Sequence, residues 1–310
     1  MQEVSVILCG GLCNRLFQIA CCYGYAEKYN LTPVFYKCLF ENNKHDNEHN
    51  KDITTANTYN ILKILMPNIN IKDDIVNHND FYIIELCGDF ACYYIDLQLP
   101  HNINGQNILL KGYFQSEKYF PVLDKNKFLY IFTKQIYKLN YPLQKWHQMY
   151  FLHIRMGDYI GHYLHYLGYK LYLENSIKLI LSKNPNAIFL ICSNEKDKNK
   201  ILAEIGFDSQ EFKYEFEIDI NPDLNPLNTL KHMAMCSGGI CMNSSFSWFG
   251  AYLSRETNLL QRQHIDSNID SNIDSNLYIM PSKWFNSEYI EQNKYKDIYP
   301  EWNNLVILDI

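Results

Sequence analysis

A chain of 310 residues with 28 basic and 34 acidic side chains has a formal charge of -6, so no face-wide basic excess is available to displace counterions from nucleic acid. Hydrophobic residues make up 47% and charged residues 20%, the proportions of a globular protein and not of a disordered or membrane-embedded one. At roughly 150 residues per domain, the length points to two domains.

The opening MQEVSVILCGG lacks a basic n-region and has only a short apolar run, Val4 to Leu8, so neither a signal peptide nor a membrane anchor is expected. Without an export signal, the ten cysteines are expected to be reduced thiols of a cytoplasmic protein, and Cys9/Cys13, Cys21/Cys22, Cys87/Cys92 and Cys236/Cys241 lack zinc-ribbon spacing.

Strand-like and helix-like runs alternate along the chain, which predicts an α/β fold built on parallel sheets. The first strand is 4-VSVIL-8, followed by a Gly-Gly turn and a helix whose apolar face is Leu12, Leu16, Ala20 and Tyr23. Residues 45–74 are rich in Asn and Asp and read as surface excursions. Strands are expected at 81–86 and 108–114. A second series starts with 150-YFLHIR-155 and continues with a helix over 171–182, ended by Asn184-Pro185, and a strand over 187–192. A polar helix over 194–205 and a half-exposed strand over 213–219 come next. The segment 226–239 reads as a helix with Pro near its start and Gly-Gly past its end, leading to a strand at 239–243 and a helix at 244–254. Ile265 to Asn276 is three copies of Ile-Asp-Ser-Asn, turn-forming residues expected to make a solvated loop. The joint between the two series falls near 135–148.

Three stretches carry chemistry. In 10-GGLCNRLFQ-18, Gly10 and Gly11 would let the backbone approach a ligand at a helix N-terminus, although the spacing matches neither a dinucleotide fingerprint nor a P-loop and a plain tight turn fits too. In 151-FLHIRMGDYI-160, His153, Arg155 and Asp158 follow a strand, and ligands of open α/β sheets sit at carboxyl ends of strands. Arg155 offers a planar fork for two phosphate oxygens, and Asp158 could accept a proton or hold that fork; a surface ion pair fits the same residues. In 243-NSSFSWFG-250, hydroxyls and an amide crowd a helix start, more than capping requires, so the turn suits an anion.

GGLCNRLFQ, GYFQSEKYF at 112–120, HIRMGDY at 153–159, NSSFSWFGAYL at 243–253 and PSKWF at 281–285 occur in this order. Together they resemble the α-1,2-fucosyltransferases of glycosyltransferase family eleven, within the group sharing a His-x-Arg-Arg-x-Asp type motif. The resemblance implies a GT-B-like fold of two facing Rossmann-type domains with a cleft between them: an acceptor-side domain over 1–145 and a donor-nucleotide domain over 146–310 with the loop at 265–276. It implies an inverting transfer of fucose from GDP-fucose to O2 of a galactose in a glycan acceptor, with no cofactor, no metal, no nucleic-acid partner and no membrane span. By similarity Arg155 would grip the diphosphate. Gly10, Gly11, His153, Asn243, Ser244, Ser245, Phe246 and Ser247 would complete the donor site, and Asn14 would project from the first domain.

For the base that deprotonates the acceptor, Asp158 ranks first, His165 second and Glu117 third. The absence of an Asp-x-Asp triplet agrees with an arginine in place of a metal ion. The chain departs from the family's pattern at Met156, where a second arginine is usual, at Cys13 in place of glycine and at Arg15 in place of glutamine. Loss of the second arginine removes a cation and would bear on donor choice, while Arg15 would restore a positive charge. Two rival readings remain at this point: the same fold with another nucleotide sugar, and a non-catalytic glycan- or nucleotide-binding relative.

Overall fold

The structure is a computed structural model that describes residues 2–39, 66, 69–73, 77–86, 92–103, 105–122, 148–195, 197–204, 217–220, 225–264 and 276–310. The chain divides into two compact units, Met1–Gln135 with Asn293–Pro300 and Ile136–Gln292 with Glu301–Ile310. The expected boundary at 145/146 and all of the tetrapeptide repeat except Asn276 lie outside the described residues.

The first unit contains β1 (Glu3–Val6), α1 (Leu12–Tyr29), β2 (Thr32–Pro33), β3 (Phe35–Tyr36), β4 (Ile71–Lys72), β5 (Phe81–Glu85) and β6 (Asn107–Lys111). Its main sheet has the order β2-β1-β6-β5, parallel throughout, and β3 and β4 form a separate parallel pair. The helix α1 buries residues around most of its girth and stops at Asn30, which takes the left-handed conformation at φ 53. Because β1 has β2 on one side and β6 on the other, the direction of winding reverses between β1 and β6.

The second unit contains β7 (Met149–Ile154), α2 (Lys170–Lys183), β8 (Ile188–Ser193), α3 (Lys198–Glu204), β9 (Glu217–Ile220), α4 (Pro226–Met235), β10 (Gly238–Ile240), α5 (Ser245–His264), β11 (Tyr278–Pro281) and β12 (Leu305–Leu308). All pairings are parallel and the order is β12-β11-β10-β7-β8-β9. The chain winds outward from β7 to β9, returns to lay β10 against β7, and winds outward the other way, which is the doubly wound order of Rossmann-type sheets. The α/β class expected from the sequence is thus what the structure has, in two parallel-sheet units.

Local chemistry explains the elements. Every residue of β7 is buried, as a central parallel strand covered on both faces requires. Tyr150, Leu152 and Ile154 join Tyr172, Leu173, Ile177 and Ile180 of α2 in one apolar cluster. Asn225 caps α4, its side chain accepting from Leu227 and Asn228 N-H groups, with Pro226 next. Three differences from the sequence reading stand out: α5 continues to His264 and not to Ser254, β10 is only Gly238–Ile240, and β11 and β12 were not anticipated.

Tyr172 ties a helix to the sheet: its buried hydroxyl donates to Cys241 O at 2.6 Å and lies 3.2 Å from Ile279 O. Tyr172→Phe removes the hydroxyl donor from Cys241 O in the interior, whereas Ile279 O keeps the Cys241 N-H at 2.8 Å, so urea unfolding should show a loss of about 1–3 kcal/mol; an unchanged midpoint would contradict the assignment.

Candidate functional site

The carboxyl ends of β7 and β10 are neighbours at the point where winding reverses, and ligands of doubly wound sheets bind at such a point. The chain leaving β7 carries Arg155 and Asp158. Arg155 Nε donates to Asp158 Oδ1 at 2.9 Å and Nη2 to Oδ2 at 3.1 Å, a two-pronged pairing that fixes the plane of the guanidinium. The Tyr159 ring lies against it, 5.5 Å from Cζ to the ring centroid. Nη1 takes no part in either bond to Asp158 and is left for another acceptor.

The turn is held from β8, where Asn194 Oδ1 accepts from Met156 N at 2.8 Å. Gly157 sits at φ +59, and a Cβ there would come within 2.8 Å of Asn194 Nδ2. Met156 itself is only 4% exposed and belongs to the core cluster with Ile154, Tyr169 and Leu173. Its side chain therefore does not separate the two charges.

The chain leaving β10 makes the opposite wall. Ser244 Oγ accepts from Phe246 N at 3.3 Å, so Ser244 is the N-cap of α5. The first intrahelical bond is Trp248 N to Ser244 O, which leaves the Ser245 and Ser247 N-H groups without intrahelical acceptors. Asn243 turns inward. Its Oδ1 accepts from Tyr169 Oη at 2.8 Å, and its Nδ2 donates to His165 O at 3.1 Å and Trp284 O at 2.9 Å. Tyr159 Oη donates to Asn243 O at 3.1 Å, linking the two walls directly. With its amide spent on these bonds, Asn243 positions the turn, and the groups left to face an anion are backbone N-H groups and the half-buried Ser245.

His153 also turns inward. Its Nδ1 is 3.0 Å from Ser247 Oγ, and Phe246 stacks on the ring at 5.3 Å. Ser247 Oγ also accepts from Met242 N at 2.9 Å, so one hydroxyl joins the β10 exit to the His153 ring. Burial, followed by the charge of Arg155, pulls His153 from the ordinary 6.5 down to about 3. His153 thus adds no positive charge at neutral pH. His165 stacks on Tyr159 at 4.8 Å, and its Nδ1 is buried without a hydrogen-bond partner. Burial, then His162, with a smaller contribution from Arg155, pulls His165 down to about 4 against the opposing charge of Asp158.

In the first unit the other residues expected at a site gather where β1 and β6 end. Gly10 adopts φ +75, a conformation suited to glycine, and a Cβ there would come within 2.6 Å of Asn14 Nδ2. Exposed Gly11 starts α1 without a side-chain cap. Asn14 Oδ1 accepts from Gln115 Nε2 at 2.8 Å, and Gln115 Oε1 accepts from Cys92 Sγ at 2.8 Å. Buried Gln18 joins the two strand ends, accepting from Cys9 N at 3.0 Å and donating to Gly112 O at 3.1 Å. Half-buried Glu117 starts the short 3-10 turn after β6. Arg15, expected to restore a cation, is buried, and its Nε donates to Gly10 O at 3.0 Å, so it braces the turn.

The structure therefore assembles His153, Arg155, Asp158, His165 and 243–247 in one unit, and Gly10, Gly11, Asn14 and Glu117 in the other. Tyr159, Tyr169, Asn194, Gln18 and Gln115 were missed as supports. Tyr159, Gln18 and Gln115 lie inside the motifs already quoted, whereas Asn194 has no sequence signal. Among the described residues no group of three or more His, Cys, Asp or Glu could hold a metal ion, and no helix is long and apolar enough to cross a membrane.

A doubly wound sheet with a clamped arginine and a capped helix start at its reversal gathers the chemistry that suits an anion. Residues 96–277, more than half the chain, match the family described as Glycosyl transferase family 11, and the chain belongs to that family. It is 26% identical over 324 residues to an alpha-1,2-colitosyltransferase of Escherichia coli, covering 97% of this chain and 98% of that protein. Among solved structures, NodZ alpha-1,6-fucosyltransferase co-crystallized with GDP is similar with a TM-score of 0.37 and 10% identity, over 82% of this chain and 93% of that one.

The two histidines set a pH dependence. Each is neutral in the fold and takes up a proton more readily when unfolded, so stability is full above about 6.5 and falls as pH drops toward 4 and 3. His153→Asn, whose amide can replace Nδ1 toward Ser247, should flatten the slope of urea-unfolding free energy between pH 6.5 and 4. An unchanged slope would contradict the burial argument.

Proposed function

We propose that this glycosyltransferase moves a 6-deoxyhexose, fucose first, from a GDP-linked donor to O2 of a galactose in a glycan, with inversion and with arginine in the role of a metal ion. The observation that carries this reading is Arg155, clamped by Asp158 at 2.9 and 3.1 Å on the chain leaving β7, the strand beside β10 that leads into α5. The end-to-end similarity to an α-1,2-transferring relative supports the linkage.

In the reaction the acceptor oxygen attacks the anomeric carbon as the bond to the β-phosphate oxygen breaks. The bonding pair moves onto the diphosphate, and the acceptor proton passes to a base. Arg155 Nη1 and the N-H groups of Ser245 and Ser247 meet the charge that grows on the leaving group, and fixed donors of this kind act without reorganisation. Asp158 is the first choice of base and also keeps Arg155 in plane. His165, neutral above about pH 4 and with a buried Nδ1 that has no hydrogen-bond partner, is the second choice.

One specific observation favours a second reading, in which the donor carries a colitosyl group: the relative aligned along nearly the whole chain is named for that sugar. The catalytic groups are the same in both.

GDP release and the mass of the product, measured with GDP-fucose and its 3-deoxy counterpart on a panel of galactosides, test the proposal. Transfer should persist in EDTA, and Arg155→Ala should lower kcat/KM by about 10²–10³. Absence of GDP release with either donor, or full activity of the alanine variant, would overturn it.

A further inference from the structure

Beyond Arg155 a series of rings continues outward from the site. Tyr159 lies against the guanidinium and stacks on His165 at 4.8 Å. His165 is 4.8 Å from His162, His162 stacks on Tyr163 at 5.0 Å, and Tyr163 meets Tyr289 edge-on at 4.9 Å. The inner rings are half-buried, whereas Tyr163 and Tyr289 are 60% and 56% exposed.

These outer rings stand on a braced frame. Asn286 N donates to Leu164 O at 2.9 Å and Asn286 Nδ2 to Tyr163 O at 3.1 Å, while Leu164 N donates to His162 Nδ1 at 3.2 Å. Tyr169 Oη donates to His165 O, tying the same loop to the Asn243 turn. Exposed tyrosines on a mobile loop would need no explanation, but here the backbone is bonded at Tyr163 O and the two rings pack on each other, so part of the ordering cost is met in advance, which favours binding.

We infer that Tyr163 and Tyr289 form a stacking platform for the acceptor glycan, on the same unit as Arg155. This rests on the transferase reading above and adds where the acceptor lies. The platform offers ring faces and phenol hydroxyls, with the exposed Glu288 beside Tyr289 in the chain as a further hydroxyl acceptor. That chemistry suits a neutral pyranose, which presents one apolar face of C-H groups and a rim of hydroxyls. The platform is also open. A nucleobase is usually enclosed and read along its edge, whereas a chain of sugars lies along a surface. A glycan resting on it would have its near end at Arg155 and Asp158, where the leaving diphosphate and the base are needed.

The test uses the full chain and the galactoside that gives the best turnover in the panel above. For Tyr163→Ala, Tyr289→Ala and the double variant, the acceptor KM should rise about fivefold or more, with kcat nearly unchanged and GDP affinity, read by calorimetry, unchanged. Tyr163→Phe should restore most of the acceptor affinity, because the ring face is kept. An unchanged acceptor KM in the double variant would overturn the platform while leaving the transferase reading intact. Weakened GDP binding with an unchanged acceptor KM would assign the rings to the nucleobase and also overturn it. Failure of the unmodified chain to transfer to any galactoside would remove the transferase reading and the platform with it.

Discussion

The side-chain amide of Asn243 makes three interior hydrogen bonds, to Tyr169 Oη, His165 O and Trp284 O, and through them three separate segments are fixed around the reversal between β7 and β10. Neighbouring parallel strands that wind apart leave their exit turns facing one another, so the reversal creates a place for a ligand but does not shape it. Shape comes from the polar stitching. Tyr159 joins the β7 turn to Asn243 O, Asn194 holds the backbone of Met156, and Ser247 spans Met242 N and His153. Buried polar networks of this kind are costly unless complete, and this one is satisfied at each of those groups.

This division of labour assigns charge to a few side chains. His153 and Asn243 support the turn, Met156 fills the core, and Arg155 is the cation at the end of β7. A net charge of -6 is compatible with an anion site because the attraction is local: a guanidinium held in plane and N-H groups at a helix start act over a few ångströms, whatever the distant surface carries. The family usually has arginine at position 156, but in this chain the side chain at that position points into the apolar cluster. The substitution therefore reads as a packing choice as much as a change of charge.

Much of this was legible in the sequence, and the reasons are particular. Strands β7 and β8 are nearly unbroken apolar runs, so their existence and type were clear. Arg155 and Asp158 lie three residues apart at a strand end, and an ion pair was one of the readings that spacing allowed. Strand β10 starts one residue earlier and ends three earlier than expected because Gly-Gly looked like a stop signal, whereas those glycines belong to the strand. The short β11 and β12 carry too little pattern to register. The inward turn of Asn243 was hidden for a different reason: its partners are 41, 74 and 78 residues away, and only the fold brings them together. Strand order was likewise beyond local pattern, since the return of the chain to place β10 beside β7 depends on contacts across the whole unit.

The most direct measurement of the central claim is a crystal structure of the chain soaked with GDP. The diphosphate should lie between the carboxyl ends of β7 and β10, with Arg155 Nη1 and the N-H groups of Ser245 and Ser247 within hydrogen-bond distance of its oxygens and Asn243 still bonded to Tyr169, His165 and Trp284. A diphosphate bound away from this reversal, or one that leaves Arg155 untouched, would contradict it.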